Sequence, residues 1–237
     1  MTIKILHLYP DLLNLYGDKG NIAALTHRLT WRGIDAEVVA VDDGFDLTDA
    51  DIVFLGGGSD RDEKIVCEKL RVYSDELCKY VENNGVLLAT CGGMRMLGKY
   101  FKLENETVEG LGVLDIYTEH SDDRLIGDVV IETDFVKSKI AGFENHGSRV
   151  HIGNYTPLGN VIYGNGNTGD TGKEGLRYKN AIATNLHGPI LPKNPELCDY
   201  ILTKALEKKC ADFKGLTALD DTQEYKANET IVNRYIK

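Results

Sequence analysis

Val86-Leu87-Leu88-Ala89-Thr90-Cys91-Gly92-Gly93-Met94-Arg95-Met96-Leu97-Gly98 is the stretch on which the reading of this chain turns. Val86–Thr90 is uncharged and mostly apolar, which predicts a short buried strand. It ends at a cysteine, and two glycines allow an immediate turn into a helix. That order is the thiol counterpart of the nucleophile elbow of hydrolases. Such a turn strains the backbone, and a residue with a Cβ packs poorly beside the neighbouring strands. A cysteine at a helix N-terminus is expected to have a stabilised thiolate and to attack carbonyls at neutral pH. The plainer alternative is a structural cysteine before an ordinary strand-to-helix turn; the pattern favours the nucleophile.

Outward from this element, strands and helices alternate. Ile3–Tyr9 reads as a first strand, Asn21–Trp31 as a helix stopped by Gly33, and Ala36–Val41 as a second strand. Asp51–Leu55 is a third strand, ending in a glycine turn, and one long polar helix is expected over Arg61–Glu82. Strands separated by helices of this length predict a mostly parallel sheet covered on both faces. From Leu103 to Tyr178 the pattern breaks into short β-like pieces (Gly127–Thr133, Ile140–Glu144, Val161–Tyr163), read as added antiparallel strands and loops. Ala181–Asn185 returns to the sheet, and Asn194–Lys208 is a closing helix. One domain to about residue 208 is therefore expected, with a C-terminal extension over 209–237, amphipathic near Ile231–Ile236, that packs on the domain or on a partner.

A thiolate attacking a carbonyl needs a proton shuttle and hydrogen-bond donors for the oxyanion. The turn after the third strand, Gly56-Gly57-Gly58-Ser59, is expected on the same sheet edge as Cys91, because it too follows a parallel strand. The backbone N–H groups of Gly57, Gly58 and Gly92 are thus candidates for an oxyanion hole, although a glycine turn needed only for close packing would look the same. Among six histidines, His7 reads as a core residue, His27 lies on the first helix and His120 in a charged loop. His146 and His187 each follow an apolar strand and precede a glycine. Functional groups gather beyond the carboxyl ends of parallel strands; His187 fits that rule better, and His146 stays an alternative.

Other classes are disfavoured. Of 237 residues, 42% are hydrophobic and 27% charged, as in ordinary globular proteins, and 27 basic against 37 acidic residues give a net charge of −10. Without a basic cluster, a nucleic-acid partner is not expected. No run approaches the roughly 20 apolar residues that span a bilayer, and the N-terminus has too few for a signal-peptide core. Cys67, Cys78, Cys91, Cys198 and Cys210 are odd in number, without a Cys-x-x-Cys pair. A reducing cytoplasm is therefore expected, with neither disulfide framework nor zinc site. His146 and His151, five apart in an expected loop, make a poor metal template. Gly164-Asn165-Gly166-Asn167-Thr168-Gly169 spells a dinucleotide fingerprint, but no helix can follow it, so it reads as a mobile loop. Gly172-Lys173 is followed by Glu174 and lacks the phosphate-loop spacing.

With Cys91 on its elbow and His187 late in the chain, the sequence resembles class I glutamine amidotransferases of the cobyric-acid-synthase-like branch. Within them it is similar to the GatD-type family of glutaminase subunits of lipid II isoglutaminyl synthase. The resemblance rests on Leu13-Asn14-Leu15-Tyr16-Gly17-Asp18 with Gly20-Asn21, Gly56-Gly57-Gly58-Ser59-Asp60-Arg61, and Cys91-Gly92-Gly93. It extends through Arg124-Leu125, Gly127-Asp128 and Phe143-Glu144-Asn145-His146-Gly147 to Leu186-His187-Gly188-Pro189-Ile190-Leu191-Pro192-Lys193-Asn194. It implies a three-layer α/β fold with a mostly parallel central sheet and added antiparallel strands. Cys91 is then the nucleophile, His187 the base, and Arg124 the binder of L-glutamine, its guanidinium fork suited to the α-carboxylate. On residues alone, Arg124 beside Asp122 and Asp123 would be a solvated loop arginine.

The implied partner is a MurT-like ligase, forming a heterodimer with this soluble chain and carrying the ATP and magnesium that the chain itself has no site for. Two positions depart from the family. Arg95 stands where many members have glutamine, and Pro189 where many have a glutamate two residues after the histidine, so a complete triad is not visible. The rival readings are a cysteine hydrolase or amidotransferase of the same fold serving another acceptor, and a non-catalytic binding protein.

Overall fold

Short apolar runs bounded by turns become the strands of two sheets in the computed structural model, which describes residues 1–236. In chain order, β1 (Thr2–Leu8) leads to α1 (Lys19–Thr30) and β2 (Asp35–Val41). β3 (Ile52–Leu55) precedes α2 (Asp60–Leu70), a 3-10 turn at Arg71–Tyr73, and α3 (Ser74–Glu82). β4 (Val86–Thr90) runs straight into the short α4 (Gly92–Met96). Then come β5 (Tyr100–Lys102), β6 (Thr107–Glu109), β7 (Tyr117–Glu132), β8 (Ile140–His151) and β9 (Gly159–Tyr163). The small strands β10 (Lys173–Glu174) and β11 (Leu176–Tyr178) lead to β12 (Ala181–Thr184); a 3-10 turn at Leu191–Lys193, α5 (Pro195–Lys209) and α6 (Thr222–Tyr235) complete the chain.

The first sheet has the order β11-β12-β4-β3-β1-β2, parallel throughout except for the antiparallel edge β11. Alternate residues of its strands serve two separate cores, as the two-residue strand period requires. Leu6, Leu8, Val53, Leu55 and Leu87 face Val66 and Leu70 of α2 and Leu77 of α3. Ile3, Ile5, Ile52, Phe54 and Leu88 face Leu25 and Leu29 of α1 and Leu197, Ile201 and Leu202 of α5. Central strands buried on both faces are why β3 and β4 read as unbroken apolar runs. The second sheet, β10-β9-β7-β5-β6 with β8 on β7, is antiparallel except for the β5–β7 pair.

Several sequence expectations are corrected. The long helix over Arg61–Glu82 is broken by the 3-10 turn, where Val72 projects 79% exposed and no core contact sustains the helical stripe. The short pieces around Gly127–Thr133 and Ile140–Glu144 are parts of a long hairpin, β7 with 16 residues and β8 with 12. The outer half of β7 is mostly exposed or half-buried, and that of β8 alternates buried with half-buried residues, many of them polar, so they carry no continuous apolar signal. His120 and Arg124 therefore lie on a strand, at a bulge between His120 and Leu125, and His146 and His151 lie within β8 rather than in a loop. The glycine-rich segment 164–169 is packed rather than loose. Asn167 is buried and exchanges hydrogen bonds with Gly175, while the N–H groups of Asn165 and Gly166 bind Glu144 at 2.9 Å each. This nest of amides holds a carboxylate of the chain itself.

The extension folds back on the domain. Asp221, at the start of α6, pairs with Arg28 of α1 at 2.5 Å, and Arg28 also bridges to Asp199 of α5 at 2.7 Å. At the other end of α6, Tyr235 stacks on Tyr163 of β9, with centroids 3.7 Å apart.

Candidate active site

Three adjacent strands of the first sheet deliver the site to one edge. β3 ends at the glycine turn, β4 at Cys91, and β12 at the segment that carries His187. The Cys91 N–H donates to the Thr184 carbonyl at 2.7 Å, which locks the start of the elbow to the end of β12. Cys91 has φ +50° and ψ −117°, a conformation that costs a non-glycine residue roughly 1–3 kcal/mol. The glycines after it are required by close approach. A Cβ on Gly92 would fall 1.8 Å from Glu63 Oε1, and one on Gly93 would fall 2.3 Å from the Leu55 carbonyl. The elbow geometry expected from the sequence is therefore present.

The thiolate expectation is corrected. Burial pushes the Cys91 thiol up to about 12; the nearby Glu63 carboxylate adds to this, while Arg95 and the Gly92 N–H oppose it. α4 has only five residues, so its dipole is too small to outweigh desolvation beside a buried acid. A thiol held that high is protonated at neutral pH.

Glu63 is positioned by the start of α2. Ser59 caps that helix by accepting from the Asp62 N–H at 3.2 Å, a contact worth ~1 kcal/mol. The cap points the first turn at the elbow, and Glu63 is 1% exposed. Its Oε1 accepts from the Gly58 N–H at 3.3 Å, and its Oε2 from Arg95 Nε. Arg95 also reaches Asp60 on the rim and stacks over Phe101, 5.1 Å from the ring centre. The guanidinium at this departure from the family pattern is thus bound to the chain's own carboxylates. The buried Asp18 ties three segments together, accepting from the Gly57 N–H at 3.0 Å and the Thr90 hydroxyl at 2.9 Å. Of the three backbone donors considered for an oxyanion hole, Gly57 and Gly58 are thus engaged by Asp18 and Glu63, and Gly92 alone faces the sulfur.

Both candidate histidines lie close by, differently held. His146 lines the pocket beside Cys91, with Nδ1 3.0 Å from the Ser148 carbonyl and Nε2 3.5 Å from Glu144 Oε2. Burial works against Glu144, yet the nearby His146 ring and hydrogen bonds from Asn165 hold its carboxyl below the usual range. His187 is 1% exposed, and neither of its ring nitrogens has a hydrogen-bond partner. Burial first, then the charges of His146 and Lys193, lower its pKa to about 4, so its imidazole is neutral at physiological pH. The Tyr16 ring covers it, with centroids 3.8 Å apart. Among the described residues no carboxylate binds His187, in keeping with Pro189 at the position where many family members have a glutamate.

Arg124 reaches the same pocket from the β7 bulge. Its guanidinium donates to Asn145 Oδ1 at 2.8 Å and to the Asn145 carbonyl at 3.2 Å. Among the described residues no carboxylate pairs with it, which leaves a fork available to an incoming acid. The pocket, of about 210 Å³, is walled by Tyr16, Glu63, Cys91, Arg95, Arg124 and Asn145 among others. The thiol on its strained elbow, His146 and a guanidinium free of carboxylate partners line one pocket, a lining that suits a small carboxylate-bearing amide, while His187 lies behind Tyr16. The described residues hold no metal-binding cluster of His, Cys, Asp and Glu.

Sequence reasoning missed Tyr16, Glu63, Asp18 and Asn145 as site residues. Tyr16 was findable, because it follows β1 on the same sheet edge. Glu63 was not, because a first-turn acid reads as a response to the helix dipole.

Residues 4–195 match the CobB/CobQ-like glutamine amidotransferase domain, and the chain belongs to that family. Within it, the chain is 42% identical over 235 residues to the GatD subunit of lipid II isoglutaminyl synthase (glutamine-hydrolyzing) of Staphylococcus aureus strain N315. That alignment covers 98% of this chain and 96% of the relative. The corresponding subunit of Streptococcus pneumoniae is 38% identical, over 92% of this chain and 86% of the relative. Among solved structures, a chain from PurLQS of Thermotoga maritima superposes with a TM-score of 0.58 at 16% identity, covering 88% of this chain and all of that one, a likeness of fold. The chain is thus a glutamine amidotransferase of the GatD type, and the three-layer α/β expectation agrees with it.

Proposed function

We propose that this chain is the glutaminase subunit of a lipid II isoglutaminyl synthase, releasing ammonia from L-glutamine for a MurT-like ligase that amidates D-glutamate in the lipid II stem peptide. The observation that carries the reading is Cys91 on its strained elbow, joined through Thr184 to the strand that leads to His187. Arg124 holds the glutamine α-carboxylate, and the side-chain amide reaches Cys91. The cysteine transfers its proton to His187 and attacks the amide carbon, and the Gly92 N–H stabilises the oxyanion. His187 then protonates the departing nitrogen, leaving ammonia and a γ-glutamyl thioester. Water, deprotonated by the same imidazole, hydrolyses the thioester to glutamate and restores the thiol.

Ammonia is mostly protonated at neutral pH, so its production is best coupled to a docked acceptor enzyme. That enzyme supplies ATP and magnesium; this chain needs neither. The relatives named above are subunits of a synthase, which supports a heterodimer. His187 without a carboxylate partner supports a site that turns over slowly until the ligase docks. No helix among the described residues is long and apolar enough to cross a membrane, and the five cysteines are unpaired, which suits a cytoplasmic subunit acting on the headgroup side of its lipid-linked substrate.

The test supplies glutamine, ATP and lipid II to the chain alone and to the chain with a MurT-like ligase, and measures amidated lipid II by mass spectrometry. Product only with both proteins, and none with Cys91→Ala, is the expected result. Amidation by this chain alone, or by the Cys91→Ala pair on glutamine, overturns the division of labour.

A further inference from the structure

The buried face of α6 is unusual. Among its described residues, Asn228 is the one that is buried, at 4% exposure. Helices ordinarily dock through apolar side chains, and a buried amide is tolerated only when its hydrogen bonds are met. Here both donors are met: Asn228 Nδ2 donates to the Lys139 carbonyl at 2.9 Å and to Asn194 Oδ1 at 2.8 Å.

Asn194 is itself fully engaged. Its Oδ1 also accepts from the Ala141 N–H at 2.9 Å, and its Nδ2 donates to the Ala141 carbonyl at 2.8 Å and the Ile190 carbonyl at 2.6 Å. Two residues further along β8, Phe143 pairs with the other end of the same loop. The His187 N–H donates to the Phe143 carbonyl at 2.9 Å, and the Phe143 N–H to the His187 carbonyl at 3.3 Å. Segment 187–194 is therefore clasped at both ends to one strand edge, through His187 at the first residue and Asn194 at the last. α6 closes the second clasp.

We propose that Asn228 is a positioning residue for His187, acting through Asn194 to hold the 187–194 segment against β8. The inference rests on His187 as the base of the glutaminase reaction. A loosened clasp lets the imidazole drift from the elbow and admits water around it. Turnover then falls, and the ring, no longer desolvated, titrates closer to its ordinary value. Glutamine binding, which involves other elements, is spared.

Asn228→Ala, the isosteric Asn228→Asp, which removes both amide donors, and the exposed-face control Lys226→Ala are compared in the full chain with its ligase subunit bound. The expected result is a fall in kcat for glutamine hydrolysis of about tenfold or more for both Asn228 variants, with KM changed less than about twofold. The acid limb of the kcat–pH profile moves upward, iodoacetamide alkylates Cys91 at the parental rate, and Lys226→Ala is unchanged. Unchanged kcat and pH profile in a folded Asn228 variant, or a loss in KM alone, overturns the proposal. Should Asn228→Ala fail to fold, Asn228→Asp decides on the same readouts. Activity retained by His187→Ala overturns the base assignment instead, so the two failures are distinguishable.

Discussion

The Tyr16 ring lies flat on the His187 imidazole, with centroids 3.8 Å apart and planes 12° from parallel. Tyr16 lines the pocket and His187 does not, so the tyrosine is the wall between the pocket and the imidazole. The same contact helps keep the imidazole dry, and desolvation is the first cause of its lowered pKa.

Removing the ring should therefore raise the pKa of His187 from about 4 toward the ordinary 6.5. Only the neutral imidazole is a base, so the acid limb of the kcat–pH profile of Tyr16→Ala is expected to move up by about one pH unit or more. Tyr16→Phe keeps the stack and loses only a 3.4 Å contact from the hydroxyl to the Asn145 carbonyl; its profile should match the parent. Identical profiles for Ala and parent would remove Tyr16 from the account.

Arg124 offers a second measurement. Its guanidinium is exposed, bound only to Asn145 oxygens, and open to a carboxylate. Loss of charge-assisted hydrogen bonds costs about 2–3 kcal/mol, or roughly 30- to 150-fold in kcat/KM. Arg124→Ala should show that loss with glutamine, while iodoacetamide, which has no carboxylate, modifies Cys91 unchanged. Wild-type glutamine kinetics would make Arg124 a solvated arginine.

The elbow and the parallel sheet were legible because β3, β4 and β12 are short, fully buried and mostly apolar. The long hairpin was not. Arg124 and His146 sit on strands rich in polar and half-buried residues, and the register of the pair shifts between His120 and Leu125. The protonated state of Cys91 was also hidden, since it depends first on burial and then on Glu63, 28 residues earlier in the chain, whose carboxylate touches the elbow only after folding. Local pattern reports the element; it does not report which distant charge is folded against it.

Two buried histidines should make stability fall in acid. Burial is the first cause that lowers both His7 and His187 to about 4, against about 6.5 in the unfolded chain. Because the folded-state values are depressed, the unfolded chain binds more protons between those limits. The contribution is thus intact above pH 6.5 and lost as pH falls toward 4, up to about 3 kcal/mol for each ring. His7 packs edge-on against Phe54, 5.2 Å between centroids, so His7→Leu is tolerable in volume. Denaturant unfolding of that variant should show a shallower decline between pH 6.5 and 4 than the parent. Parallel curves would mean that His7 does not titrate with folding.

Cys91 supplies the last prediction. Burial is the first cause that raises the thiol; Glu63, which lies against Gly92, adds to it, while Arg95 opposes it. Glu63→Gln removes the negative charge, keeps the volume and leaves the Arg95 cation in place. The Cys91 pKa should fall, and the thiolate fraction at neutral pH should grow about tenfold for every pH unit by which the titration midpoint drops. In the parent chain without glutamine, iodoacetamide should modify Cys91 slowly at pH 7 and faster with each rise in pH. In Glu63→Gln the same curve should lie at lower pH, read by peptide mass spectrometry at each cysteine. Cys67, whose thiol burial pushes to about 11, should stay slow in both proteins and so serves as the internal control. If Cys91 already reacts rapidly at pH 7 in the parent, or if Glu63→Gln slows it, then Glu63 does not restrain the thiol and the protonated resting state is wrong.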